Sequence, residues 1–146
     1  MTLLDSTPDS KQIRALKLFL IAALAVGAVA SLVARPLPVP VAPWLVAPLW
    51  TLSYILMAVA AWLAWKRAGL YSPALIFYAV QLAFNLAWRF WPIQLLGWAM
   101  DFVMLATLIL FARRNLVAAL TFLPCVIWSL SVSVPMSGLW RLSMLD

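Results

Sequence analysis

Residues 43–67 read PWLVAPLWTLSYILMAVAAWLAWKR, and no charged side chain occurs before Lys66. A helix that crosses a bilayer needs roughly 20 mostly apolar residues. Trp44 and Trp65 stand 21 positions apart, roughly 31 Å along a helix, the distance between the two interfacial belts where indole rings settle. The stretch therefore reads as a membrane span over about 44–65, closed by Lys66-Arg67-Ala-Gly69.

Four further apolar runs lie to either side. The predicted helices cover about 15–34, 44–65, 73–92, 95–112 and 116–140, which makes residues 1–146 a single all-α integral membrane domain, a five-transmembrane-helix bundle. The composition agrees: 67% of the 146 residues are apolar and 10% charged, with a mean hydropathy of +1.06, whereas a soluble domain carries roughly a quarter charged residues. The first run follows Lys11, Arg14 and Lys17 but is too long for a signal peptide and leads into Arg35-Pro36, so it reads as a retained helix. Prolines at 36, 38, 40 and 43 make the next segment an extended loop. Ser72-Pro73 reads as an N-cap followed by a first-turn proline. Pro124 and Pro135 are expected to bend span five. Lys11, Arg14, Lys17, Lys66, Arg67, Arg113 and Arg114 fall on one side, and Arg35, Arg89 and Arg141 on the other. That asymmetry predicts a cytoplasmic N-terminus and an external C-terminus in a bacterial membrane.

Several function classes drop out. The ten Lys and Arg cap apolar runs and form no basic stripe on a water-facing element, so nucleic acid is not an expected partner. One Cys and no His leave neither a disulfide frame nor the commonest metal ligand. The four acids are Asp5, Asp9, Asp101 and Asp146, and only Asp101 falls in a span, so no catalytic acid pair, phosphate loop or Ser/His dyad is present.

Seven of the nine Trp lie near predicted helix ends, where belt anchoring accounts for them. Trp50 and Trp128 do not. Trp128 falls roughly 18 Å into span five and Trp50 roughly 9 Å into span two, with Tyr54 and Met57 following on the same face. A buried indole N–H calls for a partner or a ligand. Span three has two faces: Ala79, Ala83 and Ala87 repeat at the spacing that lets helices approach closely and suits a homodimer, while Gln81, Asn85 and Trp88 lie opposite. With a turn centred near Ile93, Asn85 and Asp101 come to equal depth, so Asp101 is expected either to serve a site or to hydrogen-bond Asn85 or Gln81, or to pair with Arg89.

Four motifs carry a resemblance. Pro43-Trp44-x-x-x-Pro48-x-Trp50-x-x-x-Tyr54-x-x-Met57, Gln81-x-x-x-Asn85-x-x-Trp88, Gly97-Trp98-Ala-x-Asp101, and Leu123-Pro124-x-x-x-Trp128 with Trp140-Arg141 follow in order over about residues 43–141. This pattern resembles the TspO/translocator family (tryptophan-rich sensory protein, peripheral benzodiazepine receptor), in a diverged form whose first loop is shortened. The resemblance implies a five-helix bundle, often dimeric, with a pocket for porphyrins or related hydrophobic ligands. It places Trp50 and Trp128 in that pocket, and with them we expect Tyr54, Gln81, Asn85, Trp88 and Asp101. No cofactor is expected; protoporphyrin or another tetrapyrrole is the expected ligand, and with no His, iron ligation is not. Light-dependent porphyrin degradation is implied by the resemblance alone. The alternative reading is a small transporter of tetrapyrroles or lipids, or a membrane assembly subunit.

Overall fold

A computed structural model describes residues 9–32, 42–91 and 94–136. These form five helices: α1 (Ser10–Leu32), α2 (Pro43–Ala68), α3 (Pro73–Phe90), α4 (Gln94–Arg114) and α5 (Leu116–Met136). The proline-rich 36–40 segment, the turn at Ile93, the end of span five beyond Met136, and Trp140-Arg141 lie outside the described residues. α1 begins five positions before the predicted start at 15. Lys11, Arg14 and Lys17 end the hydrocarbon-compatible run, but Lys and Arg are good helix formers, so the helix extends past it. The first turn is closed by Gln12 N–H and Ile13 N–H donating to Asp9 O at 2.8 and 3.1 Å.

The punctuation follows local chemistry. Pro43 opens α2, and Gly69, at φ +78°, ends it while its N–H donates to Trp65 O at 3.0 Å. Pro73 opens α3 behind an extended Ser72, as expected. The Ser72 carbonyl, not its hydroxyl, takes the cap role, accepting from Leu75 and Ile76 N–H. Asn115 joins α4 to α5 by accepting from Val117 N–H through Oδ1 at 3.1 Å. α5 runs on through Pro124, and Pro135 falls in its last turn.

Four helices are long and apolar enough to cross a membrane; α3 is shorter. Its 18 residues still extend roughly 27 Å, close to the thickness of the hydrocarbon core. α2 is central: it packs against α1 on one side and α5 on the other, α4 lies between α5 and α3, and a lighter α1–α3 contact closes the ring. Ala58, Ala60, Ala61 and Ala64 of α2 are wholly enclosed, small side chains that bring backbones together where lipid supplies no hydrophobic drive. Phe111 and Phe122 meet edge to face at 5.3 Å in the core. α3 divides as its sequence predicts, with Gln81, Asn85 and Trp88 buried and Ala79 and Ala83 on the outer surface. Several hydroxyls inside the spans are satisfied by their own helices, as in Ser53 to Leu49 O and Thr107 to Val103 O, both 2.8 Å, one way polar groups persist without water.

Candidate functional site

The N-terminal half of α2 and the C-terminal half of α1 diverge around a cleft of about 500 Å³, within the size range of small-molecule sites. α1 contributes Leu24, Gly27, Ala28 and Ser31; α2 contributes Pro43, Val46, Ala47, Trp50, Thr51 and Tyr54. None of these side chains is charged. Ser31 Oγ donates to Gly27 O at 2.8 Å and Thr51 Oγ1 to Ala47 O at 2.9 Å, so the two wall hydroxyls are turned onto their own backbones. From Pro43 to Tyr54 the cleft extends roughly 16 Å along α2.

An aromatic cluster forms the inner end. Trp50 stacks on Tyr54 with centroids 6.3 Å apart and planes at 29°. Trp128 of α5 meets Trp50 edge-on at 6.0 Å and 85°. The i to i+4 spacing on α2 puts Trp50 and Tyr54 on one face, and the α2–α5 contact brings Trp128 behind them. Trp128 Nε1 is buried without a hydrogen-bond acceptor, a donor left unused at mid-depth. Gly27 makes the cluster fit: a Cβ there would sit 2.8 Å from Tyr54 Cδ2 and 3.2 Å from its Cγ, so only glycine lets α1 approach the ring this closely.

The remaining predicted residues lie in the bundle interior and do not line this cleft. Gln81 is fully enclosed, with Nε2 donating to Met57 Sδ at 2.9 Å and Oε1 without a partner. Asn85 Nδ2 donates back to Gln81 O at 3.1 Å. Trp88, expected on the interior face of α3 and also counted among the belt tryptophans, is 5% exposed, and its Nε1 packs over Gly97, 3.4 Å from where a Cβ would stand. Its position near a helix end suggested the belt, but the azimuth it shares with Gln81 and Asn85 decides its environment.

Asp101 corrects the expected pairing with Asn85 or Gln81. Ser129 Oγ donates to its Oδ1 at 2.6 Å and Ser133 Oγ to its Oδ2, so the carboxyl group fastens α4 to α5. Equal distance from a turn fixes depth but not azimuth, and around α4 Asp101 faces the serines. Sequence reasoning also missed the α1 wall. Gly27 and Ser31, small residues four apart in the C-terminal half of α1, are the signal that would have found it.

A search among curated proteins finds no match. The profile of the TspO/MBR family matches residues 15–141, the greater part of the chain and all of α2 to α5. The order of motifs, the five-helix membrane bundle and the meeting of Trp50 with Trp128 accord with that match, and the chain belongs to the TspO/MBR family.

Proposed function

We propose that this membrane protein binds a flat, amphiphilic aromatic ligand of the tetrapyrrole class in the α1–α2 cleft, with the macrocycle against Trp50 and Tyr54. The single observation that carries this is the aromatic cluster at the inner end of a cleft about 500 Å³ in volume whose described side chains are uncharged. An apolar ring can stack there, while carboxylate substituents stay near Pro43 at the helix end, where the interface lies. With no His in the chain, iron ligation is not expected, so metal-free protoporphyrin should bind at least as tightly as haem. The test is tryptophan quenching with protoporphyrin. Trp50→Phe and Trp128→Phe should each weaken binding about tenfold, roughly 1.4 kcal/mol, while Trp44→Phe, on the exposed surface, leaves it unchanged. Equal loss in all three variants would mean partition onto the hydrophobic surface and would end the specific-site reading.

Two wider assignments belong to the same reading. The exposed Ala79 and Ala83 of α3, with Ala87, offer a close-packing face for a homodimer; Ala83→Leu should shift the protein to monomer without loss of porphyrin binding. Lys11, Arg14, Lys66, Arg67, Arg113 and Arg114 gather at one end, which the Gln12–Trp62 and Leu63–Asn115 contacts bring together. That end faces the cytoplasm under the positive-inside rule. A reporter at Lys66-Arg67 should be active inside and one after Asp146 outside.

A further inference from the structure

We infer that the outer part of the α1–α2 cleft is a lateral portal, through which the ligand reaches Trp50 from the hydrocarbon of the bilayer and not from water. The inference rests on the reading of Trp50, Tyr54 and Trp128 as the binding cluster and adds the route and the physical state of the ligand that uses it.

Three observations carry it. The cleft walls are small and outward-facing: Ala28, Ser31, Ala47 and Thr51 are all exposed on the surface of the bundle. At this depth the surface of a spanning helix pair meets lipid. Among the described residues the mouth also offers a ligand carboxylate no free donor, because the Ser31 and Thr51 O–H groups are donated to Gly27 O and Ala47 O; a water-borne carboxylate would lose its hydration there with no donor in exchange. Finally, the portal has a floor. Gly27 lies against the Tyr54 ring, so the helices are in contact just beyond the aromatic cluster and the passage ends where the rings begin. Trp50 itself is half-buried, reachable from the cleft while backed by Trp128. The geometry selects a planar molecule that dissolves in hydrocarbon, moves edge-first between two helices, and carries its polar substituents on the trailing edge.

Stopped-flow quenching with protoporphyrin, using the protein in phosphatidylcholine vesicles, tests this in two ways. Replacing part of the phosphatidylcholine with anionic phosphatidylglycerol weakens partition of the dicarboxylate porphyrin; with total porphyrin raised to hold its mole fraction in the membrane constant, the association rate should stay unchanged although the aqueous concentration rises. A rate that follows the aqueous concentration overturns the portal. In the second arm, Ala28→Phe with Ala47→Phe, which fill the mouth, should slow association and dissociation by tenfold or more. Ile109→Phe, on the exposed face of α4, should change neither. Unaltered rates in the plugged variant sink the inference, and so does a tenfold weaker Kd at an unchanged association rate, since the cleft mouth would then be the seat of binding. If Trp50→Phe and Trp128→Phe bind like the wild type, the underlying site reading fails and the portal falls with it, a result distinct from every outcome above. The lipid-composition arm needs no variant and holds even if the plugged protein folds poorly.

Discussion

The two ends of the α1–α2 pair are built on opposite plans. Toward the basic end the helices are fastened: Trp62 Nε1 donates to Gln12 O at 2.9 Å, Lys66 lies 4.7 Å over the Trp62 ring, and Phe19 packs on Trp65. Ala60, Ala61 and Ala64 admit no gap, and Asn115 Nδ2 reaches Leu63 O at 3.3 Å to tie in α5. Toward the other end the same helices part around Trp50 and Tyr54, and beyond the Gly27 contact a cleft opens. Small residues occur at both ends, but opposite different partners. The buried alanines lie in the closed half, whereas beyond the Gly27–Tyr54 contact Ala28, Ser31, Ala47 and Thr51 line a space. A polar-stapled half thus adjoins the open half, and a cleft whose described side chains carry no charge can present a shaped site.

The contrast can be broken most severely at the pivot. Gly27→Ala would drive a methyl group into the Tyr54 ring, and overpacking of this kind costs about 1–3 kcal/mol. Thermal unfolding in detergent should show the loss, and porphyrin affinity should drop with it as Tyr54 is displaced. Full stability in that variant would mean the helices are not in contact there.

A smaller effect is expected on the α4–α5 side. Asp101→Leu leaves Ser129 and Ser133 without their acceptor and should cost about 1 kcal/mol or more, whereas Asp101→Asn keeps an acceptor and should lie near the wild type. Ser133 Oγ also lies 3.5 Å from Leu130 O, a fallback partner that limits the cost. Indistinguishable melting of the two variants would show that the carboxyl group does not hold these helices together.

The fastened end should respond least. Trp62→Phe removes the bond to Gln12 O and should cost about 0.6 kcal/mol, the usual worth of a hydrogen bond inside a membrane bundle, with ligand affinity unchanged. A large fall in affinity instead would show that the two halves are coupled more tightly than the contacts imply.

The number of helices, their membrane character and most of their ends were legible in the chain because each rests on local chemistry: about 20 apolar residues, a Pro at a first turn, a Gly at positive φ, basic residues at the limits of hydrocarbon. Trp50 and Trp128 were legible too, since depth along a helix follows from sequence position. Azimuth and neighbours were not. Asp101 could be placed at the level of Asn85, yet which helix it faces depends on how α4 is rotated among its neighbours, and the answer is α5. The α1 wall escaped for a similar reason: Gly27 is an ordinary glycine in an apolar run until Tyr54 comes against it. One-dimensional patterns determine how deep each residue lies in the bilayer, because rise per residue is nearly constant. Which side chains meet at that depth is decided only when helices from distant parts of the chain pack together.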